Sequence, residues 1–177
     1  QPGKQLPEFR GRVTLDGEVL HILGIITDTS RACEWAADCK ESRDLKVMGP
    51  GDVVLYGRNG APWPIADRDT VMRRRTRVLK PGAEYRVEYA SHADLVPEVD
   101  DVVRIRDARV HFHLRRVDAQ RTWVEYQLDL DPGGSIPKWV VRWASRGIPI
   151  DTLRSIQGQV RRTRGQYRDF VREWSVR

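Results

Sequence analysis

The chain has 177 residues, 40% hydrophobic and 32% charged, a balance that suits one globular domain over residues 1–177 with an ordinary core. No run of about 18 apolar residues occurs, which excludes a membrane-spanning helix and leaves only a membrane surface as a possible contact. The net charge of +6 favours anionic surfaces, yet the aromatics are not interleaved with the basic residues as in nucleic-acid-reading modules, so no nucleic acid is expected as partner.

In chain order, Gln1-Pro2-Gly3-Lys4-Gln5 holds no apolar stretch, so no signal peptide is present in this segment. The compartment stays open: exported or periplasmic if a leader preceded Gln1, cytoplasmic otherwise. Phe9 to Val13 reads as a short strand. Asp16 is placed to cap a helix through Val19, Leu20, Leu23 and Ile26, and Asp28 or Thr29 restarts a second helical piece reaching about Ala37. Cys33 and Cys39 form no Cys-x-x-Cys pair, so a zinc site is not expected. Six residues of straight helix separate two thiols by about 9 Å, so a bridge between them requires the helix to end in between. Two free thiols are favoured unless the protein is exported.

Strands follow at Val53 to Arg58, Thr70 to Val78, Tyr85 to Ala90, Val102 to Leu114 and Thr122 to Leu130, each bounded by Gly, Pro, Asn or Asp. Short links such as Lys80-Pro81-Gly82 predict antiparallel hairpins. Thr122, Val124, Tyr126, Leu128 and Leu130 share one parity while charged and amide side chains dominate the other, which gives the strand one dry face. Between Ile105 and Ala108 the apolar parity switches, as at a bulge that bends one long strand. After Pro149, Asp151 is placed to cap a helix of about 24 residues carrying Leu153, Ile156, Val160, Tyr167, Val171 and Trp174 on one face. There is no internal repeat, low-complexity tract or linker.

The stretch Ala61-Pro62-Trp63-Pro64-Ile65-Ala66-Asp67-Arg68-Asp69 resembles the START family, the lipid-transfer domains related to steroidogenic acute regulatory protein. Glu34-Trp35 before Cys39-Lys40-Glu41-Ser42, Ser91 before the loop to Val103-Arg104, and Asp131-Pro132-Gly133-Gly134-Ser135-Ile136-Pro137-Lys138-Trp139 agree with it in order and spacing. The resemblance implies an α+β helix-grip fold: a curved antiparallel sheet wrapped round a long C-terminal helix, with an internal apolar tunnel for one lipid or sterol. Phe9 to Val13 resembles the family's third strand, so the family's first helix and first two strands have no counterpart here, which would leave a bare sheet edge. The same plan serves polyketide cyclases and plant hormone receptors, so function has to be argued from the site.

On the strand from Thr70 to Val78, Arg74 shares the parity of Thr70, Met72, Thr76 and Val78, whereas Arg73, Arg75 and Arg77 take the other. Arg74 is therefore expected indoors, where it must meet an acid, a carbonyl or a ligand oxygen. Arg58 falls close to the position at which some family members carry a buried acid. Two cations at one pocket would favour an anionic lipid over a plain sterol, unless the register turns Arg58 outward. The apolar contacts expected for the ligand are Tyr56, Met72, Tyr85, Val87, Tyr89, Val110, Phe112, Val124, Tyr126, Leu128, Leu153 and Ile156. By the resemblance, Trp63 and Pro64 overhang the tunnel mouth, where Trp63 either anchors in a membrane interface or packs back on the helix.

His111 and His113 share a strand face with Arg109 and Arg115 and lack a third ligand, so no metal is expected, and no cofactor fingerprint is present. Ser91, His92 and Asp94 are too close in sequence for triad geometry. The expected function is binding, and by extension transfer or sensing, of a single fatty acid, phospholipid or sterol by a non-enzymatic monomer. The alternative is a cyclase-like enzyme, which a pocket with no titratable group besides arginine would exclude.

Overall fold

The computed structural model describes residues 8–133 and 138–177, and for 138–149 the backbone alone. The N-terminal Gln1 to Gln5 segment and Gly134 to Pro137 of the matched motif lie outside the described residues. The strands are β1 (Phe9–Asp16), β2 (Cys39–Gly49), β3 (Asp52–Asn59), β4 (Asp67–Lys80), β5 (Glu84–Ser91), β6 (Val102–Arg104), β7 (Asp107–Arg116) and β8 (Arg121–Asp131). The helices are α1 (Val19–Thr27), α2 (Lys138–Arg162) and α3 (Arg168–Ser175), with a 3₁₀ segment at Thr29–Glu34.

One sheet runs in the order β1-β8-β7-β5-β4-β3-β2, all neighbours antiparallel, and β6 lies parallel to the start of β4. This is the expected α+β helix-grip plan. The alternation read in β8 holds, since Thr122, Val124, Tyr126 and Leu128 are all buried. They join Tyr85, Val87, Phe112 and Leu114 on the concave face, against which α1 and α2 pack. α1 is buried nearly all round, which its sequence VLHILGIIT requires of a helix with so little polar surface.

Several boundaries differ from the sequence reading. Asp16 ends β1 instead of capping α1, and Gln157 of α2 holds it there through the Asp16 N–H (2.8 Å) and C=O (3.1 Å); Glu18 occupies the cap position without a side-chain hydrogen bond. The second helical piece is a 3₁₀ turn that stops at Glu34. That stop lies between Cys33 and Cys39, and the two are bridged, with Cα atoms 4.8 Å apart. The favoured reading of two free thiols is thereby corrected. The long strand from Val102 is two strands: at Ile105 and Arg106 the chain leaves β4 and joins β5, so both Ile105 and Ala108 are buried despite their opposite parity.

The C-terminal helix begins at Lys138 rather than Asp151, continues through Pro149, and breaks after Arg162. Gly165 takes φ +78°, and the chain restarts as α3. Trp174 of α3 tucks under the sheet against Tyr85, their ring centroids 6.5 Å apart.

Candidate functional site: an apolar cavity with an arginine at each end

Between the concave face of β3, β4, β5, β7 and β8, the 3₁₀ segment and the loop 60–66 lies a cavity of about 350 Å³. Its walls are Ile26, Trp35, Leu55, Met72, Tyr89, Val110, Phe112, Tyr126, Leu128 and Leu130, with Thr152 from α2. The volume sits at the low end of small-molecule sites. Its lining is apolar because β4, β5, β7 and β8 all turn their dry parity toward it.

Of the expected ligand contacts, Arg74, Met72, Tyr89, Val110, Phe112, Tyr126 and Leu128 line the cavity. Tyr85, Val87, Val124, Leu153 and Ile156 do not; they form the solid core beside it, filled by α1 and α2. Tyr56 and Arg58 are on the opposite face of β3. Tyr56 packs there with Val54 and Val71 under Leu45 and Val96, its phenol pushed up by burial and by the Asp69 carboxylate. Arg58 pairs with Asp67 at 2.7 Å and is a third exposed. Leu55, Gly57 and Asn59 carry the inward parity instead.

Arg74 is indoors, 6% exposed, as its parity requires. Its partner is a helix end rather than an acid. One terminal nitrogen donates to the Thr27 carbonyl and to Thr29 Oγ1 (3.0 Å), while Tyr89 donates from its hydroxyl to the Ile26 carbonyl at 2.9 Å. The C-terminal carbonyls of α1 and the negative end of its dipole thus offset the buried charge. Burial pushes the phenols of Tyr89 and Tyr126 up, with Arg74 pulling Tyr89 the other way. Both are held protonated, and Tyr89 is a hydrogen-bond donor.

The sequence reading missed Arg68, Trp35 and Ile105 as lining residues. Arg68 was within reach of the parity argument, since it lies three alternations before Arg74 on the same face of β4. The Arg68 Nε is buried without a hydrogen-bond partner among the described residues, as is the Arg74 Nε. Asp38 and Glu41 also contribute to the wall near the loop, Asp38 exposed and Glu41 paired with Arg43 at 2.8 Å. The lining therefore contains titratable groups besides arginine, and that criterion leaves the cyclase-like alternative standing.

Trp63 is 90% exposed and follows Pro62, which lines the cavity; Pro64 is exposed beside it after a cis peptide bond. His113 Nε2 donates to the Glu84 carboxylate at 2.7 Å on the outer face, opposite the cavity parity. Ser91 Oγ accepts from the Ala108 N–H at 2.8 Å and is thereby tied to the strand break before β7.

Residues 6–163 match the START domain family. A crystal structure of a STAR-related lipid transfer protein fragment from Xanthomonas axonopodis superposes with a TM-score of 0.78 at 30% identity, covering 87% of this chain and 85% of that one. The phosphatidylcholine transfer protein of Bos taurus is 30% identical over 130 residues, 71% of this chain and 60% of its own length. An aromatase/cyclase from Streptomyces superposes with a TM-score of 0.63 over 88% of this chain and 94% of that one, at 14% identity, a likeness of fold alone.

Proposed function

The chain belongs to the START domain family, and from that premise we propose that it binds one lipid in the cavity under the 60–66 loop and releases it at a membrane surface. The observation that carries the reading is the cavity itself: about 350 Å³ inside a folded core, walled by Met72, Val110, Phe112, Leu128 and their neighbours. Apolar walls left against water are unfavourable, and an apolar chain laid on them relieves that cost. At the deep end, the unpartnered Arg74 Nε offers one donor to a ligand oxygen. The relatives named for lipid transfer support the same class of ligand. Release requires the 60–66 loop to move, and the exposed Trp63 on that loop suits an interfacial foothold while it does.

The test is native mass spectrometry of freshly purified protein with identification of any co-purifying lipid. One lipid per chain, lost in Val110→Trp, which intrudes into the cavity, supports the reading. A protein that is empty and takes up no fatty acid, phospholipid or sterol overturns it.

A further inference from the structure

Arg68 and Arg74 point to the same face of β4 with Thr70 and Met72 between them, and all four line the cavity. Six residues of strand place the two guanidinium stems roughly 20 Å apart, at opposite ends of the lining. Their surroundings differ. Arg74 has the carbonyl end of α1 against it, so its charge is already met. Arg68 has one backbone partner, the Ala66 carbonyl at 2.6 Å, and its Nε is buried and unpaired among the described residues.

Each acid near Arg68 is engaged elsewhere or faces solvent. Asp67 is held by Lys40 (2.9 Å) and Arg58 (2.7 Å), Asp69 by Arg104 (2.8 Å), and Glu41 by Arg43. Asp38 is exposed at the rim. Burial alone pulls the Arg68 guanidinium below its ordinary value, with no neighbouring acid to raise it, and an arginine cannot shed its charge to escape. A cationic fork with free donors, facing an apolar cavity, is the complement of an oxyanion on an apolar chain.

We propose that Arg68 is the anion-recognition residue of the cavity, and that the lipid carried has a carboxylate or phosphate oxyanion under the 60–66 loop and the rest of its body extending toward Arg74. This rests on the carrier reading. It replaces Arg58, whose charge is spent on Asp67 outside the cavity, as the second cation of the site.

The experiment compares oleate, its uncharged methyl ester and oleoyl lysophosphatidate by calorimetry, on the wild-type protein and on Arg68→Gln. The wild type is expected to bind an oxyanion about 10- to 100-fold more tightly than the methyl ester, the worth of a charge-assisted hydrogen bond. Arg68→Gln should erase that preference while leaving the ester unchanged. Whichever of oleate and lysophosphatidate loses more in Arg68→Gln identifies the oxyanion as carboxylate or phosphate. Equal wild-type affinity for oleate, lysophosphatidate and the ester, or a preference that survives in Arg68→Gln, overturns the proposal and leaves the carrier reading intact. Failure of all three to bind overturns this proposal, and the carrier reading falls with it only if diacyl phospholipids and sterols are refused as well. Should the glutamine variant not fold, Arg68→Met, which keeps the length of the stem, carries the same comparison.

Discussion

Arg104 and Asp69 face each other in a two-pronged ion pair of 2.8 and 2.9 Å, with side chains 2% and 1% exposed. The remaining donors of Arg104 reach the carbonyls of Ala93, Val96 and Pro97, so this one guanidinium ties the 92–101 loop to the start of β4. Removing one partner leaves an uncompensated buried charge. Asp69→Asn is expected to cost about 3–5 kcal/mol, read from the shift of a urea unfolding curve. A loss below about 1 kcal/mol would show that the pair is solvated, as exposed pairs are.

The bridge between Cys33 and Cys39 closes a short loop whose residues Trp35 to Asp38 wall the cavity. Chain-entropy arithmetic for so small a loop gives about 2 kcal/mol of stabilisation. The double variant Cys33→Ser, Cys39→Ser should therefore unfold at lower denaturant and lose bound lipid faster, and reductant should do the same to the wild type. Intact mass after alkylation without reductant checks the bridge: no thiol should be labelled.

His21 is half-buried, with Nε2 2.8 Å from Thr163 Oγ1, and burial depresses its pKa below the ordinary 6.5, outweighing the pull of Glu18. The folded state thus favours the neutral ring, and the unfolded chain binds the proton more readily. Stability from this group is present above pH 6.5 and is lost as pH falls through the folded pKa. Unfolding midpoints measured from pH 8 to pH 5 should decline in the wild type and decline less in His21→Gln.

Trp63 makes its contribution only outside the folded core, being 90% exposed. Trp63→Ala should leave stability within about 0.5 kcal/mol and leave lipid loading unchanged. It should slow transfer between anionic vesicles severalfold. Unchanged transfer would move the foothold to another surface.

The sheet and the inward arginine were legible because β5 and β8 alternate and β4 does so from Met72 to Val78, so parity alone assigns a face to Arg74. β3 offered no such signal. Val53, Val54, Leu55 and Tyr56 are all buried, because the 92–101 loop and β2 cover the outer face there, and four consecutive buried residues carry no period. That is why Tyr56 and Arg58 were placed on the wrong side. β2 escaped notice for a related reason: three register shifts against β3 break its alternation, and its edge position leaves it polar. The break before α3 was written in Gly165, but the spacing from Val160 to Tyr167 is two helical turns and masked it. The Asp69–Arg104 pair joins residues 35 positions apart, a relation no local pattern exposes.

The pairing of β1 with β8 sets Phe9 opposite Leu128, the first described strand against the last. At translation speeds of roughly 5–20 residues per second, β1 waits on the order of ten seconds for β8, its neighbour among the described residues. Throughout that interval α1, whose Ile22, Leu23 and Ile25 end with almost no solvent contact, has no finished surface to cover it. A chain that has made α1 but not yet β8 therefore exposes apolar surface that the finished fold hides.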